Sequence, residues 1–175
     1  MRKPAIIGGI VGAGAVTALV LSLNASGKAG GGGFLGPGTL IADVNLVLEV
    51  LLVLGLTFGF YLARSGNIDA HRVNQTTWML VNAALVALIM APHLQEVKLK
   101  GLADLADTRL WVTWLHAAIG VFAVGSGLWL VLQMNDILPQ RMHITWWKTL
   151  MRLTLTGYWL VALLGFATYY LWYMG

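Results

Sequence analysis

The chain has 175 residues, of which 58% are hydrophobic and only 10% are charged. Soluble domains carry roughly 25% charged residues, so a chain this apolar lacks a water-compatible surface and is expected to use lipid as its solvent. The absence of cysteine excludes disulfides, iron–sulfur clusters and thiol catalysis. The net charge of +4 does not indicate nucleic-acid binding, because the basic residues lie beside apolar runs, where they set the membrane orientation.

Five apolar segments are each long enough to cross a bilayer, which takes about 20 predominantly apolar residues. They lie at approximately 4–23, 40–63, 76–92, 110–133 and 149–170. The sequence therefore predicts an all-α membrane protein with five transmembrane helices. We divide it into an N-terminal anchor at 1–24, a Gly-rich linker at 25–39 and an antiparallel four-helix bundle at 40–175, because short loops favour antiparallel neighbours.

The first segment and its linker differ in character from the rest. Two basic residues precede an apolar stretch that is long for the core of a secretory signal, so we expect an uncleaved anchor. The linker SGKAGGGGFLGPG has high backbone freedom, which predicts a loosely tethered first helix. Gly8 with Gly12, and Gly55 with Gly59, have the four-residue spacing that permits close helix approach.

The distribution of Lys and Arg predicts the orientation. With the N-terminus inside, the inner flanks hold seven such residues (Arg2, Lys3, Arg64, Arg72, Arg141, Lys148, Arg152) and the outer loops hold four (Lys28, Lys98, Lys100, Arg109). Because positively charged loops stay on the cytoplasmic side, we expect the N-terminus inside and the C-terminus outside.

The chain has four histidines, and all of them lie near the ends of apolar runs. His71 and His93 are 22 positions apart, which is roughly 33 Å along a helix, so they cannot share one metal. Antiparallel spans place His71 with His143 on the inner side and His93 with His116 on the outer side. Two imidazoles from facing helices can hold a haem iron or a copper ion, so these four residues are the predicted cofactor and metal ligands.

A simpler interpretation applies to some of these histidines. His71 in NIDAHR and His143 in RMHITWWK belong to polar interfacial stretches, where water can satisfy both ring nitrogens. His116 lies within WLHAAIGVFAVG, and a polar ring in such a run needs a partner. His93 is intermediate between these cases.

Glu49 is the only acidic residue well inside a predicted span, and it is the remaining candidate site residue. A carboxyl group there is costly and usually faces the bundle interior. It could act as a proton relay, as a hydrogen-bond partner at a quinone site, or as support for a ligating histidine. The structural alternative is a neutral acid bonded to core groups such as Asn82 or Thr57.

From about Ala42 to Tyr170 the chain resembles the YozB/CtaM family of small bacterial membrane proteins of unknown function. The resemblance rests on ARSGNIDAHR at the second span, on histidines that close the third span and open the fourth, and on WWKTLMRLTLTGYWL after the last histidine. It implies a place in the bacterial inner membrane, an association with cytochrome oxidase biogenesis, and a role near haem or copper handling. The positions that match the family's histidines are His71, His93, His116 and His143.

The leading hypothesis is a membrane protein of respiratory or photosynthetic electron transfer. It would bind haem b, or alternatively copper, and act in cytochrome oxidase assembly or electron passage beside a larger complex such as an oxidase. Hydrolytic or transferase activity is not expected, because neither a nucleophile elbow nor a P-loop occurs. The alternatives are an accessory structural subunit and a transporter that uses Glu49, although transporter-like repeats and broken helices are not evident in the sequence.

Overall fold

A computed structural model of the chain describes residues 2–97, 101, 104 and 106–175. Of the basic residues that predict the orientation, Lys98 and Lys100, and the side chains of Arg2 and Lys3, lie outside the described residues. The helices are α1 (Arg2–Ala25), α2 (Leu40–Arg64), α3 (Ile68–Leu85), a π-helical turn (Val86–Met90), α4 (Ala91–Glu96), α5 (Thr108–Met134), a 3₁₀ turn (Gln140–Met142) and α6 (Trp147–Tyr173).

Five of these helical stretches are long and apolar enough to cross a membrane, which confirms the predicted fold class. They are Pro4–Ala25, Leu40–Arg64, Ile68–Gln95, Thr108–Met134 and Trp147–Tyr173. The third consists of α3, the π turn and α4, which follow one another without a break.

The third span begins well before Thr76, where the sequence predicted its start. The preceding residues are polar, so they read as a loop, but their side chains bond to the neighbouring helix. Asn74 and Gln75 donate hydrogen bonds of 2.8 Å and 3.3 Å to backbone carbonyls of α2. Because these amide N–H groups find acceptors inside the bundle, the helix can start earlier than hydropathy indicates.

Helices α2, α3, α5 and α6 form a four-helix bundle in which α2 contacts α3 and α6, while α5 contacts the same two helices. All four contribute to one buried core (Leu52, Val53, Leu56, Met79, Ala123, Val131, Tyr158, Ala162). Helix α1 packs along α3. We call the two ends of the bundle the His71 end, where α2 ends and α3 begins, and the opposite end.

Both predicted glycine pairs permit close packing against α3. A Cβ added at Gly12 would lie 2.9 Å from Val81, and one added at Gly55 would overlap the indole of Trp78. Gly8 and Gly59 likewise face side chains of α3. The small residues thus serve helix packing within one chain.

The Gly-rich linker is not the loose tether that the sequence predicted. Its chain folds back on itself through a 2.8 Å bond from the Gly33 N–H to the Gly38 carbonyl. The Leu35 N–H and the Tyr169 hydroxyl then donate to the two carboxylate oxygens of Asp43, at 2.6 Å and 2.5 Å. Asp43 is completely buried. Its carboxylate connects the linker and α6 to α2, and these hydrogen bonds offset the entropic cost of ordering the glycine-rich backbone.

Candidate functional site

A cavity of about 700 Å³ opens at the His71 end of the bundle, between α2, α3, α5 and α6. Its walls include the apolar side chains of Leu56, Phe60, Leu130, Val131 and Leu155, and three methionines, Met79, Met134 and Met151. Four basic residues line it as well, namely Arg64, Arg72, Lys148 and Arg152. A ligand with an apolar body and anionic groups at one edge matches this lining.

His71 lies in the first turn of α3 and borders this cavity. Only 6% of its surface is exposed, so its interpretation as a solvated loop residue is wrong. Its Nδ1 is 2.7 Å from the carbonyl oxygen of Gly59. A carbonyl only accepts, so Nδ1 carries a proton, and in the neutral form of the ring, which is the form that ligates metals, the lone pair is on Nε2.

Two further polar groups of α3 line the cavity and have an unsatisfied atom each. The Nε of Arg72 and the Oε1 of Gln75 are buried and have no hydrogen-bond partner. Gln75 follows His71 by four residues and Arg72 by three, so the three side chains lie toward one side of the helix. Arg72 was predicted as one of the basic residues that set the orientation, whereas Gln75 was missed, although polar residues at helical spacing beside an apolar run were a signal that could have found it.

His143 borders a second, smaller cavity of about 240 Å³ at the same end. The two cavities share four lining residues, Arg72, Leu130, Met134 and Trp147. The ring is half-buried, and its Nε2 donates to the carbonyl of Leu138 at 3.1 Å, which leaves the lone pair on Nδ1. His71 and His143 therefore line adjoining cavities.

His93 lies in α4, directly after Pro92 and the π turn. Pro92 has no N–H to donate, and the Ala91 N–H bonds to the carbonyl of Val86, five residues earlier. The His93 side chain is exposed, and its Nδ1 is 2.8 Å from the carbonyl of Ile89 on the same span. Nδ1 of His93 is thus bonded within its own span and not to a neighbouring helix.

His116 in α5 is bonded differently, because it bridges two other helices. Its Nδ1 donates to the carbonyl of Val161 in α6 at 3.0 Å, and its Nε2 lies 4.0 Å from Oε1 of Glu49 in α2. The sequence predicted that this ring needs a polar partner, and the Val161 carbonyl is that partner.

Glu49 is 3% exposed, and its Oε1 has no hydrogen-bond partner. The proposed structural partners are engaged elsewhere. The Asn82 amide donates to the Tyr158 hydroxyl at 2.6 Å, and the Thr57 hydroxyl donates to the Val53 carbonyl at 2.7 Å. The interpretation of Glu49 as an acid bonded to Asn82 or Thr57 is therefore wrong.

No three His, Asp or Glu side chains among the described residues come together as a preformed metal site. Comparison of the chain with family models, with curated proteins and with solved structures gives no match. The resemblance to the YozB/CtaM family therefore stays a prediction, and the functional argument depends on the geometry of the described residues.

Proposed function

We propose that this protein is an integral membrane component of an electron-transfer system and that it binds haem b in the cavity at the His71 end. The observation that carries the proposal is the buried His71 ring, which borders a cavity of about 700 Å³ and has its Nδ1 bonded to the Gly59 carbonyl. Small-molecule and cofactor sites have volumes of roughly 300–1,000 Å³. His71 would be the axial ligand through its Nε2.

The remaining lining is compatible with a porphyrin. The apolar walls would cover the macrocycle, and basic residues at the same end would pair with its propionates. Arg72 is the best candidate for this pairing, because its Nε is buried without a hydrogen-bond partner. When bound, haem b supplies one-electron redox chemistry, while the chain orients the group and excludes water.

Two kinds of side chain would be candidates for a second ligand to the haem iron. His143 borders the adjoining cavity, and Met134 and Met151 line the main one. Histidine paired with histidine or with methionine is an established way to hold haem iron. The same imidazole and thioether groups would suit copper, which remains the alternative cofactor.

The cellular role that we propose is electron passage, or assembly of a cytochrome oxidase, in the bacterial inner membrane and beside a larger membrane complex. The resemblance to the YozB/CtaM family supports this role. A second haem on His93 and His116 is a weaker proposal, because His93 is exposed and its Nδ1 bonds to its own span while His116 faces Glu49.

Substitution of His71 tests the proposal. We expect the purified wild-type protein to show a Soret band and a redox-dependent α band, with haem b on extraction. His71→Ala should lose at least nine tenths of that haem, whereas His93→Ala, a matched change at an exposed histidine, should retain it at the His71 end.

Full haem content in folded His71→Ala would contradict the assignment of the ligand. A wild-type protein with neither haem nor metal, purified with stoichiometric partners, would instead support the accessory-subunit alternative. Elution as a single species of unchanged size by size-exclusion chromatography serves as the test of folding for both variants.

A further inference from the structure

A second polar cluster lies away from the cavity, where α2, α5 and α6 meet. Its centre is the unpartnered Oε1 of Glu49, a residue of which only 3% is exposed. Burial of a carboxyl group without a partner is strongly unfavourable, and more so inside a membrane span. Oε1 of Glu49 therefore has no protein partner that offsets its burial.

The facing atoms indicate what is missing. Nδ1 of His116 donates a hydrogen bond to the Val161 carbonyl, so the lone pair of the neutral ring is on Nε2, which lies 4.0 Å from Oε1 of Glu49. Two lone pairs that face each other across this distance repel unless a proton or a metal ion lies between them, and the 4.0 Å gap is wide enough for an ion bound to both atoms. Gly165 of α6 leaves room for the carboxylate, since a Cβ there would lie 2.6 Å from Oε2.

Further oxygen donors lie along the same helices. Asn45 precedes Glu49 by one helical turn on α2, and its buried Oδ1 has no hydrogen-bond partner. Thr168 follows Gly165 by three residues on α6, and its buried Oγ1 is likewise unpartnered. Three helices thus supply one nitrogen and up to three oxygen donors, a set that suits first-row divalent metals.

We propose that Glu49 and His116, assisted by Asn45, form a binding site for a first-row divalent metal ion. Zinc, for example, binds imidazole nitrogen at roughly 2.0–2.1 Å and carboxylate oxygen at about 2.0–2.2 Å in tetrahedral geometry, so one ion would join both atoms once the two side chains close the 4.0 Å gap by about half an ångström. The carboxylate neutralises one of the two charges of the ion. This site uses atoms other than those of the proposed haem site and does not depend on it.

Cu²⁺ is the probe for the test, because it has the highest affinity in the divalent series and its electron paramagnetic resonance spectrum reports nitrogen ligands. Untagged protein in detergent is titrated with Cu²⁺ and then dialysed. In protein that holds haem in the cavity at the His71 end, we expect about one Cu²⁺ per chain, with hyperfine coupling to a single imidazole nitrogen. Glu49→Gln and His116→Ala should each weaken Cu²⁺ binding at least tenfold.

Two sets of control variants test whether the weakened Cu²⁺ binding is specific to this site. His93→Ala and His71→Ala should leave Cu²⁺ affinity unchanged, and haem content should be unchanged in Glu49→Gln. Asn45→Asp adds a second carboxylate and should tighten Cu²⁺ binding several-fold, a gain that misfolding cannot produce.

Three results would overturn the proposal. They are a wild-type protein that retains no Cu²⁺, Glu49→Gln with wild-type affinity, and a Cu²⁺ signal that disappears in His93→Ala or His71→Ala. Unchanged affinity in Asn45→Asp would overturn the assignment of Asn45 as a ligand. The haem content of His71→Ala tests the proposed haem site alone and does not bear on the Glu49 and His116 site.

Discussion

The four histidines share one property at the scale of single residues, because each ring has one nitrogen near a backbone carbonyl. His71, His93 and His116 bond through Nδ1, and His143 bonds through Nε2. In its neutral form each ring therefore has its lone pair on the other nitrogen. What distinguishes His71 and His116 is what they face, namely a large cavity and an unpartnered carboxylate.

Asp43 shows how a buried charge can be structural, and it gives a prediction for Tyr169. The Tyr169 hydroxyl is one of the donors to this completely buried carboxylate. Tyr169→Phe removes that donor and leaves an acceptor atom unsatisfied, which costs about 1–3 kcal/mol. Thermal unfolding in detergent should show a lower midpoint for this variant.

Tyr170→Phe is the matched control, because the adjacent ring is 57% exposed. It should change the free energy of unfolding by less than about 0.5 kcal/mol. Equal midpoints for the two variants would mean that the Asp43 contact does not hold the linker against α6.

Helix α3 organises the molecule at the scale of elements, since α1, α2 and α5 all contact it. The sequence indicated its apolar second half and missed its polar start. Asn74 and Gln75 look like loop residues until the α2 carbonyls that accept their hydrogen bonds are known. Hydropathy measures the transfer of a residue to lipid and cannot include a partner supplied by another helix.

The close approach of α2 and α3 depends on Gly55, so we expect Gly55→Ala to destabilise the bundle. The added methyl group would overlap the Trp78 indole, and forced overpacking costs about 1–3 kcal/mol. Gly125→Ala on α5 is the control, because no atom lies within 4 Å of the position of its added Cβ.

Alanine at Gly125 should be neutral or stabilising by up to about 1 kcal/mol through helix propensity. Thermal unfolding of both variants under the same detergent conditions measures the difference. A Gly55→Ala protein as stable as Gly125→Ala would show that Trp78 has room to move and that the glycine is not needed for this contact.

The number and places of the spans could be predicted at the scale of the whole molecule, because apolar length is a property of each segment alone. The partners of the histidines could not. Spacing puts His71 and His143 at one end of the bundle, where they do line adjoining cavities. The contact of His116 with Glu49 depends on how α2 and α5 are rotated about their axes, which these short apolar patterns do not determine.

The orientation in the membrane is the last prediction, and two serines provide a matched test. Ser26 and Ser65 each follow a helix, are exposed, and donate to a carbonyl three residues earlier. The Lys and Arg bias of seven to four predicts that Ser65 lies inside and Ser26 outside.

Because the chain has no cysteine, Ser26→Cys and Ser65→Cys each introduce a single thiol. A membrane-impermeant maleimide should label Ser26→Cys in intact spheroplasts and Ser65→Cys only after permeabilisation. The reverse labelling pattern would invert the topology and place the His71 cavity on the outer face.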